Sequence, residues 1–137
     1  MRNTYDMKTM ACPPKYLQMG TFYKYYTGEK VAPCLTIVIG GNHEASSHLR
    51  ELYFGGWLAP RIYFLGYSGC ITVKKGDMSL KVGGISGIYS QPSFNNSNPK
   101  YFYHLGYMEN YPFDDRGKYS VYHQKQIDIL KWLLYSP

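Results

Sequence analysis

A chain of 137 residues is long enough to bury one hydrophobic core and too short for two ordinary domains, so one domain, or part of one, is expected. Hydrophobic residues make up 45% and charged residues 18%, and no apolar run approaches the roughly 20 residues that cross a bilayer, so a soluble protein without a membrane-spanning helix is expected. Fifteen Lys and Arg against nine Asp and Glu give a formal charge of +6, and with sixteen tyrosines the surface suits nucleic acid, because cations attract phosphates and rings stack on unpaired bases.

From Met1 to Cys12 there is no periodicity, and the stretch runs into Pro13-Pro14, so it reads as a connecting arm. Its first ten residues hold no apolar stretch after the basic one, hence no secretory signal, and an intracellular address follows. Lys15 to Thr27 reads as a helix, opened by Pro14, carrying Leu17, Thr21 and Tyr25 at roughly helical spacing and closed by Gly28. Tyr23, Tyr25 and Tyr26 are taken as core rings at that spacing. The continuous β-branched run Cys34 to Ile39 favours a strand buried on both faces. Ala45 to Leu52 reads as a second helix, with Leu49 and Leu52 inward and Arg50 and Glu51 outward. Gly55-Gly56 and Pro60 break the chain before a short strand at Ile62 to Leu65. Cys70 to Lys74 and Ser79 to Val82 flank Lys75-Gly76-Asp77-Met78 as a hairpin, and Gly83 to Gly87 is a further strand end. Ser90 to Gly117 lacks any repeat and reads as a long irregular loop, while Tyr119 to Tyr135 is a helix with Ile127, Leu130 and Leu134 on one stripe. The order of strands and helices, with glycines at strand ends, indicates an α/β or mixed fold. Cys12, Cys34 and Cys70 are odd in number and widely spaced, with no C-x-x-C pair, and read as reduced and structural.

Chemistry concentrates at Gly40-Gly41-Asn42-His43-Glu44, where a buried strand ends and a helix follows. Gly40 and Gly41 allow a sharp turn. Asn42 offers an amide oxygen suited to a divalent cation, and His43 a nitrogen that donates a proton or holds a phosphoryl oxygen. Glu44 falls in the first turn of the helix, where the dipole favours an acid. The plainer reading makes Asn42 a helix cap, the glycines a turn and His43 a surface residue.

Gly-Asn-His-Glu after an apolar strand resembles the signature of the calcineurin-like metallophosphoesterases. The flanking residues are similar to one branch of that superfamily, the RNA lariat debranching enzymes. Pro13-Pro14-Lys15-Tyr16, Thr21 to Lys30, Ala32-Pro33, Gly40 to Ser46, Gly55-Gly56-Trp57, Ala59-Pro60, Gly83 to Tyr89 and Ser120 to His123 carry the resemblance. It implies an α/β fold belonging to a four-layer αββα sandwich with a mixed sheet, residues 1–137 forming part of that domain. It further implies hydrolysis of the 2′-5′ phosphodiester at the branch of lariat RNA, a pair of divalent cations (manganese, iron or zinc), and a nuclear, or also cytoplasmic, location.

In that resemblance Asn42 is a ligand of one metal and His43 the general acid or phosphoryl-oxygen partner. Residues 84–120 fall where the family places its lariat recognition loop, which makes Tyr101, Tyr103, His104 and Arg116 substrate-contact candidates. The family's other metal motifs, Asp-or-Cys-x-His and Gly-Asp upstream, His-Asp and Gly-His-x-His downstream, are expected before Met1 and beyond Pro137. Gly76-Asp77 is a hairpin turn rather than one of them, and His48, His104 and His123 lack metal-ligand spacing. The alternative is a non-catalytic relative that at most binds RNA.

Overall fold

A computed structural model describes residues 1–10, 12–41, 43–89 and 91. The irregular segment beyond Ser90, the helix expected at Tyr119 to Tyr135, and the candidates Tyr101, Tyr103, His104 and Arg116 lie outside the described residues, as does Asn42.

The N-terminal arm holds a helical turn, α1 (Thr4–Met7), where no structure was expected. The Asn3 side chain accepts the Asp6 N–H at 3.0 Å, and an Asn three residues before an Asp is a helix-start signal that hydrophobic periodicity does not detect. The helix expected from Lys15 to Thr27 divides in two: a single 3₁₀ turn at Pro14–Tyr16 and α2 at Phe22–Tyr26. Leu17 leaves the helical region (φ −73°, ψ 84°) and Gly20, a poor helix former, follows before the chain turns again. Gly28 ends α2 as expected, at φ +81°. None of the three tyrosines is fully buried, and Tyr26 is 48% exposed.

Three strands, β1 (Thr36–Val38), β2 (Gly56–Ala59) and β3 (Ile62–Phe64), make a mixed sheet in the order β1-β3-β2. β1 runs parallel to β3, with Ile37 beside Tyr63 and Val38 beside Phe64, and β2 pairs antiparallel to β3, with Trp57 beside Tyr63. The expected strand at Cys34 to Ile39 is therefore shorter and half-buried, because β1 lies at an edge of this sheet and the described helices cover one face. β2 was concealed by Gly55, Gly56 and Pro60, which read as breakers. Gly55 does turn the chain, at φ +93°, but Gly56 already pairs with Phe64, and the reversal into β3 falls on Pro60-Arg61.

The six-residue helix α3 (Ser46–Glu51) lies within its expected span, and its Leu49, with Leu52, Tyr53 and Phe22, packs on the core of Leu58, Phe64 and Tyr67. Phe64 is wholly buried. The second sheet is the expected hairpin, longer than foreseen, with β4 (Ser68–Lys75) against β5 (Met78–Ile85). Lys75 pairs with Met78, leaving Gly76-Asp77 as a two-residue turn with Gly76 at φ +57°, so the turn reading of this Gly-Asp holds. All three cysteines are free, although Cys34 is exposed rather than built into the core. Among the described residues no helix is long and apolar enough to cross a membrane.

Candidate active site

Gly40, two residues past β1, is buried, and a Cβ there would lie 2.8 Å from Leu49 Cδ1, so the end of that side chain would have to shift. Its backbone is held on both sides. The Gly40 N–H donates to Ser86 Oγ at 3.0 Å, and the Gly40 carbonyl accepts the Gly87 N–H at 2.7 Å. The Ser86 hydroxyl donates in turn to the Gly66 carbonyl at 2.6 Å, and the Ser86 N–H donates to the Tyr67 carbonyl at 3.0 Å. Ser86 is 1% exposed, so both bonds of its hydroxyl form away from competing water. The backbone at Gly40 is thus tied to the end of β5.

Gly41 and His43, on either side of Asn42, are exposed. The Glu44 carboxylate folds back towards Gly41, where a Cβ would meet both of its oxygens at 3.3 Å. Glu44 accordingly stands before the helix rather than in its first turn, since α3 begins at Ser46 with Ala45 as its N-cap residue. That position also removes the cap from Asn42 in the plainer reading. Ala45 has no side chain able to cap, and the helix takes a partner from elsewhere: the Ser47 N–H donates to Thr9 Oγ1 at 3.3 Å. Thr9 Oγ1 itself donates to the Asp6 carbonyl at 2.8 Å, and Met10 forms a β-bridge with Ala45.

Behind this contact lies a wholly buried carboxylate. Asp6 accepts from Ser47 Oγ at 2.8 Å and from Arg2 at Nε (2.8 Å), Nη2 (2.9 Å) and the backbone N–H (2.9 Å). Burial alone would raise the Asp6 pKa, but the Arg2 bonds and then that of Ser47 outweigh it and hold the carboxyl well below the usual range. Arg2 also forks onto Glu51 at 2.6 and 2.7 Å, and its bonds to Asp6 and then Glu51 hold its proton more tightly than usual. Arg2, Asp6, Thr9, Ser47 and Ser86 were not foreseen as site-forming residues; the Asn3 to Asp6 spacing was the one local signal for the first group.

His48, five residues after His43, is 7% exposed and lies against Phe22 (6.0 Å between ring centroids) and edge-on to Tyr26 (5.8 Å). Burial lowers its proton affinity and the Arg2 charge adds to that, while Asp6 and Glu51 oppose it. It is a core histidine, as its spacing suggested. Trp57 is 60% exposed and meets Tyr63 edge to face at 5.1 Å. Among the described residues no three of His, Cys, Asp and Glu gather as a cation site, so these residues do not by themselves hold a metal pair.

No protein-family model matches the chain. Among curated proteins it is 50% identical to the lariat debranching enzyme of Danio rerio over 131 residues, 96% of this chain and 21% of the relative. It is 45% identical over 131 residues to the proteins of that name from Homo sapiens and Arabidopsis thaliana, spanning 22% and 28% of their lengths. Identity of 45–50% along nearly all of this sequence places the chain in the lariat debranching enzyme family, whose members it matches over a fifth to somewhat more than a quarter of their length.

Proposed function

We propose that this chain carries the Gly-Asn-His-Glu part of a hydrolase that opens the 2′-5′ phosphodiester bond at the branch of lariat RNA. The observation that carries the reading is the identity to enzymes of that name over a stretch that includes Gly40 to Glu44. The local geometry supports it, because the backbone is held at Gly40 and His43, three residues on, is exposed. His43 acts as general acid toward the departing 2′ oxygen or as partner of a phosphoryl oxygen. Asn42 is one ligand of a divalent pair, and since the described residues gather no set of three ligands, the remaining ligands lie outside them. The surrounding architecture in this reading is a four-layer αββα sandwich, whose second sheet would cover the face bearing Ile37, Tyr63 and Trp57. Residues 84–120 contribute the loop that recognises the branch, and a nuclear location suits an RNA of that kind.

That the described residues gather no set of three ligands leaves a second reading, a relative that binds branched RNA without opening it. One experiment separates the two. This segment replaces the corresponding 131 residues of the Danio rerio relative, and the chimera is given a 2′-5′ branched oligoribonucleotide with manganese, iron or zinc. Linear product that disappears in His43→Ala is expected. An inactive chimera that still retains the RNA supports the second reading, and opening that survives His43→Ala removes His43 from the chemistry. The 137-residue chain alone is expected to leave the branch intact.

A further inference from the structure

The loop from Gly40 to Ser47 is fastened at both ends by residues distant in sequence. At its far end the N-terminal arm supplies Thr9 and Asp6 to Ser47. At its near end one side chain makes the connection: the Ser86 hydroxyl receives the Gly40 N–H and delivers its own proton to Gly66. We infer that Ser86 is a positioning residue, whose buried hydroxyl sets where the Gly40-Gly41 backbone leading to His43 stands relative to the sheet; its effect on the reaction rests on the debranching reading above.

Three observations converge on that role. Gly40 is buried and has no side chain to anchor it, so its position depends on what its backbone polar groups bond. Both of those groups bond the dipeptide Ser86-Gly87, and the serine bond uses a side chain where an apolar residue would fill the same space without holding the N–H. Gly66, which receives the Ser86 proton, is itself rigidly placed. It turns at φ +82°, and a Cβ there would lie 2.6 Å from the Tyr53 carbonyl oxygen. The clasp therefore refers the loop to a fixed point of the core rather than to a mobile edge. Removing the hydroxyl leaves two buried polar groups unbonded, the Gly40 N–H and one acceptor site of Gly66, and the loop relaxes toward water to satisfy the first.

The test uses Ser86→Ala and the hydroxyl-retaining Ser86→Thr in the 137-residue chain, read by amide hydrogen exchange and by the ring resonances of the histidines at fixed pH. In Ser86→Ala the Gly40 amide is expected to exchange at least tenfold faster and the His43 resonance to move, while the β4–β5 amides and the His48 resonance stay. Ser86→Thr is expected to restore both. In the chimera the alanine variant is expected to lower kcat about tenfold to a hundredfold with KM little changed, as for a misplaced catalytic loop, and the threonine variant to recover it. Unchanged Gly40 exchange in Ser86→Ala overturns the inference. So does loss of protection throughout the chain in both variants, which makes Ser86 a packing residue, and so does altered exchange with unaltered kcat. An inactive unsubstituted chimera counts against the debranching reading instead, and exchange and resonance then decide the clasp alone.

Discussion

The two faces of the β1-β3-β2 sheet carry equally apolar rows and have opposite fates. On one face Val38, Ile62 and Phe64 meet Leu49, Leu52 and Phe22, and Phe64 has no exposure. On the other Ile37, Tyr63 and Trp57 stand side by side across three strands, and Trp57 is 60% exposed. Hydrophobicity alone does not distinguish the rows; the helices laid over the first do. A strand that is apolar on both sides records two covering layers, and the described residues supply one of them. The same contrast separates the loop at Gly40 to Ser47, bonded at both ends, from the hairpin tip at Gly76-Asp77, which bears exposed Met78 and Leu80.

Substitutions can break that contrast or sharpen it. Phe64→Ala is expected to cost about 3–5 kcal/mol of unfolding free energy, by urea titration followed by circular dichroism, because it empties the centre of the covered face. Asp6→Ala is expected to cost about 3 kcal/mol, since it strands part of the Arg2 guanidinium and removes the acceptor of the Ser47 hydroxyl on α3; a loss below about 1 kcal/mol would mean that the arm does not fasten the loop. Acid should act through two groups in turn. His48 holds its proton less tightly in the fold than in the unfolded chain, so the unfolded state takes up more protons and stability falls as pH drops below about 6.5. His48→Gln should flatten that part of the profile. Asp6, whose pKa is depressed, contributes stability that is present above about pH 4 and is lost as pH falls further toward its folded value; Asp6→Asn should remove that second slope. Trp57→Ala, on the open face, is expected to change stability by no more than about 0.5 kcal/mol. A loss comparable to that of Phe64→Ala would show both faces to be covered.

Much of this was legible in the chain, for reasons that differ by element. The hairpin was visible because β-branched residues flank a Gly-Asp pair, and glycine at φ +57° is what a two-residue turn requires. α3 was visible from Leu49 and Leu52. β2 was not, because Gly56 and Pro60 obscure a strand of four residues whose alternation, Trp57 out and Leu58 in, is too short to register. The long helix expected at Lys15 to Thr27 failed because aromatic spacing continues across Gly20 although the backbone does not. The clasp and the buried Asp6 were illegible for a more basic reason. Serine, aspartate and arginine have no periodic signature, and what makes them matter is a partner some forty residues away, at Ser47 for Asp6 and at Gly40 for Ser86.

The tie between Ser86 and Gly40 also links the site to strand phase. Ser86 continues the β4–β5 ladder one step, through its N–H to Tyr67, and its side chain reaches Gly40 because the register from Lys75–Met78 to Ser68–Ile85 is unbroken. A slip of one residue anywhere along that hairpin would turn every later side chain to the opposite face. The Gly76-Asp77 turn, far along the chain from the loop it serves, therefore acts as the index mark of the site: one residue inserted there could leave Asn42 and His43 intact in sequence and still withdraw the hydroxyl that holds their loop.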